Sequence, residues 1–202
     1  MATYKDIRYN TPVGTNKAFQ LIKSIDSTNS DNTISFVNAS NGVVFDSTYK
    51  AYCIKITNAN PEHDQQDIQF NFTADGSNYN VTKTTSVFRP YHFESATGGA
   101  DYAVQYRTDD DLAQATGFQQ WSDRTGGGSD ESASGYVLVF EPSSTTFVKH
   151  FYAIANSLFH DNATTTYHIQ GYCNTTSAVT GIQFAAGDGN GLTANFKLYG
   201  VN

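Results

Sequence analysis

The chain has 202 residues, which is an ordinary size for one domain, and it carries a formal net charge of −7 at neutral pH. Its twelve Lys and Arg residues are scattered, which argues against a nucleic-acid partner, because binding to a phosphate backbone draws on clustered cations. Thirteen Tyr and fourteen Phe residues with only four Pro favour strands over helices, since aromatic side chains suit a pleated, half-buried surface.

The N-terminal segment differs in character from the rest of the chain. Residues 1–16 mix charged and polar side chains with a Thr-Pro-Val-Gly turn, so they are predicted to form an arm or an edge segment. They lack the apolar stretch of a signal peptide, and no stretch of the chain approaches transmembrane length. We therefore expect synthesis in a reducing cytoplasm and no insertion into a membrane. Residues 17–202 are predicted to form a single β-sandwich domain.

Alternation of apolar and polar residues predicts about ten strands and an all-β fold, either a sandwich or a barrel. The predicted strands lie within residues 17–25, 33–37, 49–57, 67–73, 81–88, 102–107, 135–140, 147–154, 165–172, 178–184 and 192–201.

Turn signals separate most of these strands. The segment Ala74-Asp75-Gly76-Ser77-Asn78 predicts a hairpin that pairs residues 67–73 with residues 81–88, because Asp-Gly tolerates the positive φ angles of tight hairpin turns. Residues 186–191, rich in glycine, predict a second turn. Residues 109–134 contain few apolar side chains and the glycine run 126–128, so they are predicted to form a long surface loop.

No catalytic, cofactor-binding or metal-binding residues are assigned from the sequence. The five His residues fall in no recognised catalytic spacing, and the four Glu residues fall in predicted loops, which disfavours the facing carboxylate pair of a glycosidase. Asp109, Asp110 and Asp111, or Asp188 with Asn190, could supply oxygen ligands to Ca²⁺, but three successive side chains diverge.

Three further residues are weaker candidates for a binding or structural role. Trp121 is a candidate glycan contact, since tryptophan stacks on sugar rings, although a ring packed on its own domain is the simpler interpretation. Cys53 and Cys173 could form a disulfide or half of a metal site, but two buried free thiols are favoured, because neither has a partner at metal-ligand spacing.

Several segments of the chain also resemble a known family. They are residues 45–52 followed by 60–64, then 74–82, 130–136, 172–178 and 196–201. Together they resemble a family of small, mostly uncharacterised virion-associated proteins from tailed bacteriophages of aquatic bacteria, cyanophages and marine phages especially. The similarity runs from about residue 33 to the C-terminus. It implies an antiparallel β-sandwich of jelly-roll type and a place in the virion, and it transfers no active-site residue.

These observations predict a non-enzymatic structural protein of a phage particle, synthesised in the host cytoplasm and used as a capsid decoration, a head fibre or a tail-fibre or tail-tip module. Its expected partners are other virion proteins and copies of itself, with a homotrimer as the expected oligomer. One alternative is a carbohydrate-binding module that recognises host surface glycans during attachment. Another is a polysaccharide depolymerase, which requires two carboxylates facing each other across a cleft.

Overall fold

The computed structural model describes residues 18–95 and 101–202 and contains only strands, turns and loops in that part of the chain. The segment 1–16, predicted to be an arm, lies outside the described residues. The strands are β1 (Phe19–Ser27), β2 (Thr33–Val37), β3 (Ala51–Pro61), β4 (Gln66–Thr73), β5 (Lys83–Phe93), β6 (Tyr102–Tyr106), β7 (Gln119–Thr125), β8 (Ala133–Phe140), β9 (Lys149–Phe159), β10 (Ala163–Cys173), β11 (Gly181–Ala186) and β12 (Leu192–Val201).

All twelve strands pair antiparallel in one continuous, nearly closed and barrel-like sheet. Eight of them form one segment in the order β1-β12-β3-β8-β9-β10-β5-β6, and four form a second segment in the order β7-β4-β11-β2. The two segments are joined through a single residue pair, Thr125 of β7 with Phe159 of β9. The fold class is therefore all-β, with twelve strands in place of about ten.

The four-strand segment folds over the inner face of the eight-strand segment. Phe70 of β4 packs edge-on against Phe151 of β9, with ring centroids 5.8 Å apart, and Phe184 of β11 meets Phe196 of β12 at 5.2 Å. All four rings are fully buried, and the burial of large aromatic side chains is the main source of stability in such a core.

Alternation identified the inward side chains correctly in two strands. The alternating pattern places Tyr52, Ile54 and Ile56 on one face of β3, and Ile68, Phe70 and Phe72 on one face of β4; each set is buried in the core. The predictions for residues 33–37 and 192–201 match the bounds of β2 and β12.

The predicted hairpin around residues 74–78 is wrong. Strand β4 pairs with β7 and β11, whereas β5 pairs with β10 and β6. The turn itself forms, with Gly76 at φ +81° and the Asp75 carboxylate accepting hydrogen bonds from Ser77 and Asn78. It carries the chain from one sheet segment to the other, because the buried faces of β4 and β5 find their partners elsewhere.

The segment 109–134, predicted to be one long surface loop, contains strand β7. This strand has little apolar alternation, yet Gln119, Ser122, Asp123 and Thr125 are all buried. Gln119 and Asp123 find partners on β5; the carboxamide oxygen of Gln119, for example, accepts a hydrogen bond from the Thr85 hydroxyl at 2.6 Å. The hydroxyls of Ser122 and Thr125 hydrogen-bond to each other at 2.8 Å.

Candidate functional site: the outer face of the eight-strand segment

The outer side of the eight-strand segment carries two rows of cross-strand neighbours. The first row, read from β1 to β10, is Leu21, Tyr199, Cys53, Leu138, Tyr152 and Gln170. The second, read from β12 to β5, is Lys197, Lys55, Tyr136, Ile154, His168 and Phe88. We refer to these two rows as the aromatic face. Side chains directly opposite each other in an antiparallel sheet lie close enough to form one continuous surface.

Rings on and beside the aromatic face contact one another. Phe88 stacks parallel on His168 with ring centroids 4.6 Å apart, and Tyr152 meets Phe140 edge-on at 5.8 Å. Tyr152 is nevertheless 54% exposed, and Tyr106, the register partner of Phe88, is 61% exposed. Exposed apolar residues are ordinary when they occur singly, whereas a contiguous patch marks a binding or assembly surface.

The charge of the aromatic face differs from that of the whole chain. Lys55 and Lys197 are direct register partners, and neither row contains an Asp or a Glu. The chain as a whole carries a net charge of −7. The aromatic face is therefore suited to an acidic or neutral partner surface rather than a basic one.

Two grooves open on this side of the molecule. The larger, about 590 Å³, is lined by Phe19, Cys53, Lys55, Tyr136, Leu138 and Tyr199. The smaller, about 370 Å³, lies over β9, β10 and β5, between the rings of His150, Tyr152 and Tyr172. In its floor the Gln170 side chain donates a hydrogen bond to the Ser86 hydroxyl at 2.6 Å. Neither groove has a carboxylate in its wall.

Trp121 does not belong to any of these surfaces. It lies on β7, is fully buried in the core, and its indole N–H donates to the carbonyl oxygen of Tyr136 at 3.4 Å. The prediction of a glycan contact at Trp121 is corrected, because a ring with no exposed area cannot stack on a sugar; the packing interpretation is the one that holds.

The aspartates considered as calcium ligands serve other contacts. Asp110 accepts hydrogen bonds from the Tyr167 hydroxyl and the Arg107 side chain, both at 2.8 Å. Asp111 accepts instead from the backbone N–H of Val87 at 2.7 Å, so the side chains point to different partners.

Asp188, the other candidate ligand, hydrogen-bonds to His63 and to Asn190. Within residues 18–95 and 101–202, no group of three or more His, Cys, Asp or Glu side chains is placed to hold a metal ion.

Both cysteines are buried free thiols, as favoured from the sequence. Burial raises the pKa of Cys173 to about 12 and that of Cys53 to about 11, which keeps both in the unreactive thiol form. Cys53 also lines the larger groove.

Two fully buried lysines flank Cys173, and nothing in the sequence pattern indicated them. Lys83 of β5 and Lys149 of β9 are both register partners of Cys173. Burial lowers the pKa of each ammonium, to about 8 for Lys83. The Lys149 ammonium donates to the backbone carbonyls of Phe147 and Thr175, at 3.0 Å each.

The aromatic face was missed at the sequence level, although a signal for it existed. In β8 the alternating pattern places Tyr136, Leu138 and Phe140 on one face, and that face is the outer one. The intervening Val137 and Val139 fill the core. A strand that is apolar on both faces is either covered by other elements on both faces or exposes one apolar face to solvent or a partner. Strand β8 exposes its outer apolar face.

In the part of the chain that the structure describes, no helix has the length and apolarity needed to cross a membrane. The chain matches no known family model, no curated protein and no solved structure.

Proposed function

We propose that this chain is a non-enzymatic structural component of a tailed-phage virion, in which the aromatic face packs against a neighbouring copy of the chain. The observation that carries the proposal is the aromatic face itself, which consists of two rows of contiguous side chains. Tyr152, in the first row, and Phe88, at the end of the second row, are both exposed. The sequence resemblance to virion-associated proteins supports the location in the particle.

The proposal includes a jelly-roll topology. Its support is the strand order, in which β1-β12-β3-β8 lies opposite β2-β11-β4-β7, as two interleaved Greek keys produce. In this interpretation β5 with β6, and β9 with β10, are insertions that widen one sheet. The aromatic face lies across the junction between the jelly-roll strands β1-β12-β3-β8 and these inserted strands.

The proposed oligomer is a rotational trimer. In such a ring each copy offers two different surfaces, one to each neighbour. The aromatic face carries Lys55 and Lys197, while the chain has a net charge of −7. An acidic surface of the adjacent copy is therefore the complementary partner.

Assembly is tested by the mass in solution of the full chain at micromolar concentration. We expect a trimer that Tyr152→Ser or Lys55→Glu dissociates. The matched control is Phe147→Ser, because Phe147 is exposed but lies outside the aromatic face. A monomeric wild-type protein, or dissociation by the control alone, contradicts packing through this face.

Location is tested by mass spectrometry of purified particles and by labelled-antibody electron microscopy. Many copies over the head would identify a capsid decoration or head fibre, whereas a few copies at the tail would identify a fibre or tail-tip component. Absence from the particle contradicts the virion role.

Carbohydrate recognition is the second candidate function, and the smaller groove favours it. Tyr152 and Tyr172 provide rings, and Gln170 and Ser86 provide polar groups in the floor, which is the combination that sugar sites use. Glycan-array binding that is lost in Tyr172→Ala but kept in Phe147→Ser would support this role. Binding that is unchanged by Tyr172→Ala, or absent in wild type, contradicts it.

A further inference from the structure

Lys83 and Asn71 form a buried amine–carboxamide pair between the two sheet segments. Asn71 lies on β4 and Lys83 is the first residue of β5; both side chains are fully buried. The Lys83 Nζ atom is 2.5 Å from the Asn71 Oδ1 atom. Since a carbonyl bond is about 1.2 Å long, the carbonyl carbon Cγ is at most about 3.7 Å from Nζ, close to the separation of reacting atoms in a near-attack arrangement.

We propose that Lys83 and Asn71 form an intramolecular isopeptide bond, with release of ammonia. The Nζ lone pair attacks Cγ, and a C–N bond forms while the carbonyl electrons move to Oδ1. A proton passes from Nζ to Nδ2, the Cγ–Nδ2 bond breaks, and ammonia leaves. The product is a neutral secondary amide, and the step needs no oxidant, reductant or other reactant.

The surroundings of the pair favour each part of this step. The backbone N–H of Phe72 donates to Oδ1 at 2.9 Å, where negative charge develops, as the donors of an oxyanion hole do. The carbonyl oxygens of Tyr79 and Thr116 accept from Nδ2 at 2.5 Å and 3.0 Å, and these bonds hold the leaving nitrogen in place.

The amine is also prepared for attack. Burial lowers the pKa of Lys83 to about 8, so that about a tenth of the amine is in the neutral, nucleophilic form at pH 7, far more than for an exposed lysine. A second hydrogen bond, from Nζ to the Val81 carbonyl at 2.8 Å, fixes its position and is retained by the single N–H of the product amide. Bond formation removes an ionisable group from the core, where a charge is costly.

The intact mass of the full-length, denatured protein tests the proposal. We expect a mass below that of the sequence by one ammonia, about 17 Da, and a branched tryptic peptide that joins the segments around residues 71 and 83. Lys83→Met and Asn71→Leu should each restore the sequence mass. The matched control is Lys149→Met, because Lys149 is equally buried but its Nζ meets only backbone carbonyls; it should keep the deficit.

Two results would overturn the proposal. One is a wild-type mass equal to that of the sequence. The other is a deficit without the branched peptide, since succinimide formation at Asn41-Gly42 or Asn190-Gly191 also releases ammonia and would persist in Lys83→Met. The peptide measurement uses only the wild-type protein, so it decides the question even if a core variant fails to fold.

Discussion

The guanidinium of Arg89 on β5 is paired with the carboxylate of Asp123 on β7, and this ion pair joins the two segments of the sheet. Both side chains are buried, and the second guanidinium nitrogen of Arg89 donates to the Gln105 side chain at 2.8 Å. Arg107 approaches Asp123 from the neighbouring loop at 4.0 Å. The pair fixes the relative position of two strands that share no backbone hydrogen bonds with each other.

Removal of one partner of the Arg89–Asp123 ion pair should destabilise the folded protein. We expect Asp123→Ala to lower the free energy of unfolding by about 3–5 kcal/mol, because it leaves the Arg89 charge buried without a counter-ion. The double variant Arg89→Met/Asp123→Leu should lose less stability than Asp123→Ala. Urea denaturation of both variants and the wild type measures this, and a loss below about 1 kcal/mol for Asp123→Ala would contradict the assigned role of the pair.

Trp121 should act as a core residue and not as a ligand contact. Trp121→Ala is expected to lower the free energy of unfolding by about 3–5 kcal/mol, since it leaves a large cavity between β7 and β8. Trp121→Phe should cost less. Phe147→Ala is the exposed-aromatic control, because Phe147 lies outside the aromatic face, and it should change stability by about 0.5 kcal/mol or less. Equal effects of Trp121→Ala and Phe147→Ala in thermal denaturation would show that the indole is not buried in solution.

The ionised carboxylate of Asp75 should make part of the folding stability dependent on pH. Its carboxylate accepts hydrogen bonds from Asn78, Ser77 and Thr73, which hold its pKa below the ordinary value of 3.8. The folded state therefore favours the ionised form. The stabilisation is complete above pH 3.8 and is lost as the pH falls through the lower, folded-state pKa.

The measurement is the difference in melting temperature between wild type and Asp75→Ala as the pH is lowered from neutrality. This difference should be largest near neutral pH and should shrink below pH 3.8. Asp130→Ala, at an exposed position outside this turn, is the control. A constant difference over the whole pH range would rule out a contribution from the ionised carboxylate.

The two thiols should differ in reactivity. Alkylation of the native protein at about pH 8 should be slow at both sites, because burial holds each pKa far above this pH. Cys53 should react first, since it lines the larger groove, whereas Cys173 is fully buried. Peptide mass spectrometry after timed alkylation separates the two, and faster labelling of Cys173 would be inconsistent with this core.

The fold class and most strands could be predicted because alternation records which side of a strand is buried. Strand β7 was missed for the opposite reason. Its buried Gln119 and Asp123 look like loop residues until their partners, Thr85 and Arg89 on β5, are known. The turn at Asp75-Gly76 was likewise identified locally, but pairing partners are set by long-range packing that a turn does not report.

The candidate site was less predictable than the fold. The sequence directed attention to Trp121 because a lone tryptophan is conspicuous, whereas the side chains of the aromatic face are spread along the chain from Leu21 to Tyr199 and meet only through cross-strand register. Nothing in the sequence pattern indicated that Lys83 pairs with Asn71, because a lysine in an alternating strand usually points into solvent.

The position of β12 has a consequence for biosynthesis. This strand, formed by residues 192–201, fills the gap between β1 and β3. As the chain emerges from the ribosome, β1 has no described strand beside it in the sheet until these residues are available, and the hydrogen-bonding edge of β3 stays open. Nascent chains must therefore remain incompletely folded until residues 192–201 have emerged, and this interval is when they are most exposed to aggregation and to chaperones.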